Sequence, residues 1–262
     1  MNTRPGLEET RAAQRQFGRQ AAHYVDSASH RNGDSLELLV ALAQSTGREL
    51  VLDVATGVGF TAFALAPGSR WVMATDIAPQ MLEQARRERS RRGLRNVSLG
   101  LAAAECLPFA DGAFDRVACR TAAHHFADPV SAVREMARVL KPGGLLLLAD
   151  TVAPEDELVS DWMNAVEKRR DPSHQRNLPP SEWRQVLADQ GLAVTGEAAA
   201  FVPHELFDWV RRSGTRASDV AQLQRDLASA SPAAREAFAI RREGETFRFQ
   251  WPCSVFRAWK PS

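Results

Sequence analysis

The chain sets a carboxylate, a glycine turn and a second carboxylate at a spacing suited to a nucleoside that carries a positive charge. In Val51 to Ala62, VLDVATGVGFTA, Gly57 and Gly59 stand between a short apolar run and the start of a helical stretch. Glycine at such a turn permits positive φ angles and close backbone approach. Read literally, Gly57-Val58-Gly59-Phe60-Thr61-Ala62 also fits the dinucleotide pattern Gly-x-Gly-x-x-Ala, so a nicotinamide or flavin cofactor has to be weighed. Asp53, four residues before Gly57, tells against it, because its anion stands where a pyrophosphate would meet a helix N-terminus. A carboxylate there repels a diphosphate and suits an ammonium or a sulfonium. Asp76 ends the next apolar run, 23 residues past Asp53, where an acidic side chain can accept hydrogen bonds from both ribose hydroxyls. Both nucleotide classes use that feature, and Asp76 could instead cap the helix that begins near Pro79.

Histidines supply the second set of reactive groups. His124 and His125 follow a later apolar run, while His30 and His174 lie in SASHRNG and RRDPSHQRN. Histidine is the side chain best matched to proton transfer near neutral pH, so all four are candidate catalytic bases. Surface or capping roles are the alternative for His30 and His174. Trp162, Trp183, Phe207 and Trp209 could wall a substrate pocket, although aromatic residues at helical spacing also build cores. The cysteines Cys106, Cys119 and Cys253 form no Cys-x-x-Cys pair, which suggests neither a disulfide framework nor a zinc site and reads as small buried hydrophobes.

These residues need a frame, and the hydrophobic pattern provides one. Asp34 to Gln44 reads as a helix, Leu50 to Ala55 as a buried strand, Trp71 to Thr75 as a strand and Pro79 to Arg92 as a charged amphipathic helix. Val97 to Leu101, Phe114 to Cys119 and Gly144 to Asp150 give further strands, with a helix over Val130 to Leu140. Such alternation implies right-handed crossovers and a doubly wound, mostly parallel α/β sheet covered on both faces. Beyond Asp150 the pattern loosens. Glu155 to Arg170 and Ser181 to Gln190 look helical, Leu192 to Phe201 could be a strand, and Glu205 to Arg242 reads as a polar helical insertion broken by Gly214 and Pro232. Thr246 to Trp259 reads as a closing edge strand. The tail carries too little apolar material for a separate core, so one domain is expected over residues 1–262.

Composition narrows the partners. With 262 residues, 44% apolar and 25% charged, the chain is ordinary globular material. A formal net charge of +1 offers no overall field for nucleic acid or an anionic membrane. No apolar run approaches the roughly 20 residues of a membrane helix, and the N-terminus does not look like a signal peptide. A cytoplasmic, soluble protein without stable membrane insertion is expected, as monomer or homodimer.

The segments VLDVATGVGF, ATDIAPQML, AAAECLPFADGAFDRVACRTAAHHF and VLKPGGLLLLAD, in that order, resemble the class I S-adenosylmethionine-dependent methyltransferases. They are most similar to the UbiE/YcgJ-like (methyltransferase type 11) branch of small-molecule enzymes. The likeness covers Ala21 to Thr151, and EKRRDPSHQRNLPPSEW, Glu167 to Trp183, also looks like that branch. The resemblance implies a seven-stranded Rossmann-like fold. It also implies an N-terminal lid over 1–33, a cofactor core over 34–151 and substrate-side helices, insertion and closing strands over 152–262.

By the same resemblance the cofactor is S-adenosylmethionine, converted to S-adenosylhomocysteine, and the partner is a small-molecule acceptor. Gly57 and Gly59 would lie against the methionine and adenosine parts, with Ala55 and Thr56 in the same loop. Asp53 would hold the methionine ammonium, directly or through water. Asp76 would take the ribose, flanked by Ile77 and Met81, and Ala104 and Glu105 would meet the adenine. Arg120 would line the methionine end through its backbone, or could serve in a salt bridge. Tyr24, the only tyrosine, could reach the methionine carboxylate or simply pack. The second histidine of a pair like His124-His125 is often structural in this family. Two rival readings stay open: a non-catalytic S-adenosylmethionine-binding protein on the same fold, and an NAD-dependent oxidoreductase. An RNA methyltransferase lacks support, since Arg120-Thr121-Ala122-Ala123 stands where amino-directed enzymes carry an Asn-Pro-Pro-Tyr-type motif. The acceptor itself, a quinone-like molecule included, is not legible.

Overall fold

The computed structural model describes residues 7–25, 31 and 33–262. Its sheet runs β3(Val97–Leu101), β2(Trp71–Asp76), β1(Leu50–Val54), β4(Phe114–Arg120), β5(Leu140–Thr151), β8(Thr246–Trp259), β6(Ala193–Glu205), and the short β7(Arg241–Glu243) pairs with β8 off this path. The first five strands are parallel, while β8 runs antiparallel to both β5 and β6. The seven-stranded path is the one expected; the eighth strand is the far arm of a hairpin turned at Gly244, whose φ is +61°. Two expectations change. Thr246 to Trp259 is an inner strand, and the edge belongs to β6. β5 also begins at Leu140, earlier than its apolar run suggests, because Leu140 pairs with Phe114 before a register shift.

Strand alternation explains the two-sided core. Leu52 and Val54 of β1, Val117 and Cys119 of β4, and Leu146 and Leu148 of β5 face one layer. That layer also holds Met136 of α5(Pro129–Val139) and Trp183 and Leu187 of α7(Pro180–Asp189). The intervening Val51, Ala118 and Leu147 face the other layer, with Leu39 of α2(Asp34–Ala43) and Ala62 and Phe63 of α3(Phe60–Leu65). Strands buried on both faces read as apolar runs, which is why they were visible in the sequence.

The C-terminal insertion folds as α8(Leu206–Ser213), α9(Ala217–Ala228) and α10(Pro232–Ala237). Gly214 closes α8 with φ +65°, and Pro232 starts α10 behind the Ser231 cap. These helices are less polar than expected once packed. Leu206, Trp209, Leu223, Leu227 and Phe238 join Met163 of α6(Glu157–Arg170) and Trp251 of β8 in a third buried cluster. Among the described residues no helix is long and apolar enough to cross a membrane.

Strand order reverses between β1 and β4, so the loops leaving their carboxyl ends diverge and open a crevice. The helix α1(Leu7–Val25) lies across it. Gln14 Nε2 donates to the Ile77 carbonyl at 2.9 Å on one side, and Gln16 Nε2 donates to the Ser213 carbonyl at 2.7 Å on the other.

Candidate active site

The crevice holds about 920 Å³ of space out to its mouth and is lined by the β1, β2 and β4 loops below and α1 above. The β1 loop is shaped by its glycines. Gly57 has φ +58° and Gly59 φ +97°, and a Cβ on Gly59 would sit 2.3 Å from the Phe63 ring, so no larger residue fits without displacement. Ala55 and Thr121, both lining the crevice, hold φ of +55° and +54° without being glycine. Such strain concentrates at functional sites.

Asp76 ties this loop to β2. Its Oδ2 accepts from the Gly57 amide and its Oδ1 from the Ala78 amide, each at 2.8 Å. It thus also shapes the turn into α4(Pro79–Arg91) while its carboxylate lines the crevice. Burial raises its pKa to about 6 against those amides. Tyr24, Ala55, Thr56, Gly57, Ile77, Met81, Ala104, Glu105, Arg120 and His125 line the same space. Burial also raises Glu105, opposed by the backbone amides of Asp128 and Ala127.

Asp53 and Gly59 do not line the crevice. Asp53 lies beneath the loop, where its Oδ2 accepts from Thr56 Oγ1 at 2.5 Å. Burial lifts it to about 7, despite Thr56, Arg120 and the Ala62 amide. Its Oδ1 is buried without a hydrogen bond of normal geometry among the described residues. Asp53 therefore lies one layer below the crevice wall, behind the Thr56 that lines it. Arg120 donates from Nε to Thr61 Oγ1 at 3.0 Å and from Nη1 to Ser35 Oγ at 3.4 Å, so its side chain braces α2 and α3 while the residue lines the crevice.

A second cavity of about 590 Å³ out to its mouth adjoins the crevice. Phe17, Tyr24, Arg120, Thr121 and His125 line both spaces. His124 faces only the second. Asp150, at the end of β5, fixes it: Oδ1 accepts from His124 Nδ1 at 2.6 Å and Oδ2 from the His124 amide at 2.8 Å. Facing a carboxylate, Nδ1 carries the proton and Nε2 is the free basic nitrogen. Burial pulls the His124 pKa down, but the charge and hydrogen bond of Asp150 outweigh it and leave it raised. His125 moves the opposite way, to about 3, through burial and the neighbouring His124, only partly opposed by Asp171. It is therefore the neutral member, with Ser173 Oγ 3.2 Å from Nδ1 and Phe17 edge-on at 4.7 Å.

One histidine expectation changes. His174 lines neither cavity; its Nε2 meets Asn164 Oδ1 at 2.9 Å, and burial with its charged neighbours lowers its pKa strongly. It packs behind His124, with ring centroids 5.7 Å apart. His30 and most of SASHRNG lie outside the described residues. The aromatic wall also differs. Trp183 is in the sheet core, Trp162 stacks on Phe238, and Phe207 is exposed, so only Trp209 of the four reaches the cavity, joined by Trp251. Cys119 and Cys253 are buried as expected, and Cys106 is exposed.

Residues 52–148 match the family model described as a methyltransferase domain. The chain is 37% identical to an uncharacterized methyltransferase, YcgJ, of Bacillus subtilis over 86% of its own length and 88% of the relative's. This chain is a class I S-adenosylmethionine-dependent methyltransferase of the UbiE/YcgJ type. The crystal structure of Bacillus subtilis YcgJ superposes on it with a TM-score of 0.84 at 35% identity, covering 87% of this chain and 98% of that one. A demethylmenaquinone methyltransferase of Thermus thermophilus is 43% identical over 44% of this chain and 53% of its own. As a methyltransferase the chain does not use its glycine loop for hydride transfer, and the oxidoreductase reading falls.

The residues present fit S-adenosylmethionine. The cofactor is a cation, and beneath and beside the crevice lie two buried carboxylates, one with an oxygen awaiting a donor or a positive charge.

Proposed function

We propose that the crevice binds S-adenosylmethionine and that a small-molecule acceptor enters through the second cavity. The observation that carries this reading is that Tyr24, Arg120, Thr121 and His125 wall both spaces. Asp76 accepts from the ribose hydroxyls, Ala104 and Glu105 meet the adenine, and Gly57 and Thr56 lie against the chain leading to the methionine end. Asp53 favours the ammonium through its charge. When bound, the cofactor supplies an electrophilic methyl on a sulfonium, which an O, N, C or S atom of the acceptor displaces in line, leaving S-adenosylhomocysteine.

Little acid–base machinery is obligatory for that displacement; alignment and exclusion of water do most of the work. The lid α1 and the side chains of Phe17 and Tyr24 close the junction from above. Where the acceptor atom starts protonated, His124 Nε2 takes the proton, and Asp150 stabilises the imidazolium that results. His125, held neutral, shapes the junction.

Calorimetry tests the cofactor half. S-adenosylmethionine and S-adenosylhomocysteine should bind the wild type, NADH should not, and Asp76→Ala should lose about two to four orders of magnitude in affinity, since hydrogen bonds to a charged group contribute about 1.5–3 kcal/mol each and two are lost. Binding of NADH in place of the adenosyl ligands would overturn the reading.

A further inference from the structure

His125 is held at one nitrogen from behind the cavities. Its Nδ1 lies 3.2 Å from Ser173 Oγ, and that hydroxyl lies 2.7 Å from Asp171 Oδ1, which also accepts from the Ser173 amide at 2.9 Å. Ser173 and Asp171 belong to the loop 171–177, which follows α6 and packs against the histidine pair. The Gln175 and Arg176 amides donate to the His124 carbonyl at 2.9 and 3.2 Å, and Lys168 Nζ donates to the His174 carbonyl at 2.6 Å. Both Ser173 and Asp171 are buried and line neither the crevice nor the second cavity. Asp171 Oδ2 has no hydrogen bond among the described residues, so the hydrogen bonds of this carboxylate go to Ser173 through Oδ1.

A serine hydroxyl has one hydrogen to give, and two oxygens 2.7 Å apart need a proton between them. Burial pushes the Asp171 carboxyl up, but His125, Arg170 and Ser173 outweigh it and hold it lowered. Asp171 is therefore the ionised acceptor, and Ser173 gives it that hydrogen. Toward His125 the hydroxyl can then only accept, so the imidazole carries its proton on Nδ1 and leaves Nε2 bare. Among the described residues Nε2 has no hydrogen-bond partner, while His125 lines both spaces. Burial and the neighbouring His124 keep this ring neutral, so Nε2 can hold a hydrogen without removing it. His124 reaches the same tautomer directly from Asp150.

Resting on the two-cavity reading above, we infer that Asp171 and Ser173 are positioning residues that lock His125 with Nε2 as an acceptor, and that this nitrogen receives a hydrogen bond from an O–H or N–H that the methyl acceptor carries at or beside its reacting atom. An oxygen or nitrogen whose hydrogen is held there turns a lone pair away from His125 and is free to aim it at the methyl, while His124 supplies the stronger base. A molecule with no such hydrogen would leave Nε2 unpaired in a buried site, at the cost of its desolvation.

The test uses the full chain with ring-15N histidine near pH 7, after titration with S-adenosylhomocysteine. Long-range proton–nitrogen correlations tell a protonated ring nitrogen from a bare one, and His125→Gln identifies the signals. The wild type should show Nδ1 protonated and Nε2 bare. Ser173→Ala removes the partner of Nδ1 and should move the tautomer ratio at least about fivefold toward Nε2–H, the equivalent of one neutral hydrogen bond. Asp171→Ala frees the Ser173 hydroxyl to donate to Nδ1 and should push the ratio the same way; Ser173→Ala decides alone where that variant does not fold. Phenol added to the complex should move the Nε2 resonance toward the protonated value, and fluorobenzene, similar in size and without a hydrogen to give, should not. A ring protonated at Nε2 or at both nitrogens, a ratio unmoved in the folded variants, or a phenol response that is absent or matched by fluorobenzene would each overturn the inference. Failure of S-adenosylhomocysteine to bind the same sample would sink the cofactor reading, whereas normal binding with the wrong tautomer or no phenol response sinks this inference alone.

Discussion

Replacing Asp150 by asparagine probes how the active histidine is held. Three donors converge on this carboxylate: Oδ1 accepts from His124 Nδ1 at 2.6 Å and the Thr151 amide at 2.8 Å, and Oδ2 accepts from the His124 amide at 2.8 Å. Asparagine offers one oxygen and one NH2. With its oxygen toward His124 Nδ1, the NH2 confronts the His124 amide; turned over, it confronts the Thr151 amide and forces the imidazole into the tautomer with Nε2 protonated. Asp150 is 1% exposed, so solvent cannot repair either arrangement, and breaking such a buried pair costs about 3–5 kcal/mol. At about 2–4 °C per kcal/mol for a chain of this size, Tm should fall by roughly 6–20 °C.

The pH dependence gives the sharper reading. The His124 pKa is raised in the folded wild type, so the pair contributes stability in full below the unfolded histidine value near 6.5 and loses it as pH rises through the folded value. In Asp150→Asn the partner charge is gone and burial alone acts, so the histidine is held neutral and its penalty appears at low pH. The difference in Tm between wild type and variant should therefore be larger at pH 6 than at pH 9. A difference that is the same at both would refute the ion-pair account and leave Asp150 a neutral hydrogen-bond anchor.

Two further perturbations test the cofactor crevice. Gly59→Ala puts a methyl against Phe63 at a φ of +97° and should cost about 2–6 kcal/mol from overpacking and strain combined; Gly57→Ala, with φ +58° and open space at its Cβ, should cost only about 1–2 kcal/mol. Equal urea midpoints for the two variants would show that the loop is not packed as described. Asp76 and Asp53 titrate upward to about 6 and about 7, and a positively charged ligand favours their ionised forms. S-adenosylmethionine affinity should therefore rise up to about a hundredfold per pH unit below pH 6, up to about tenfold between 6 and 7, and level off above about 7, as read by calorimetry; a flat profile from pH 5 to 8 would contradict this.

The parallel half of the fold was legible because its physics is local. Val51 to Val54 and Leu145 to Ala149 are buried on both faces, and Gly57 and Gly59 mark the turn between them and the cleft. The acceptor side was not. Arg170 and Arg212 read as solvated charges in polar helices, and only packing of α8 on α6 and β8 buries them. Trp251 lies in a strand that alternation places in the sheet without saying which cavity it meets. Asp150 did leave a signal: a carboxylate closing the buried run LLLLAD has to find a partner, and the neighbouring strand β4 leads to the histidine pair. For Trp183 the spacing allowed core or pocket, and burial against the sheet decided for the core.

The most direct measurement is a crystal structure of the chain with S-adenosylhomocysteine. The account expects the adenine beside Glu105, the ribose on Asp76, and the sulfur at the junction facing the cavity of His124 and His125. A ligand lying elsewhere, or reversed so that its sulfur points away from that cavity, would contradict it.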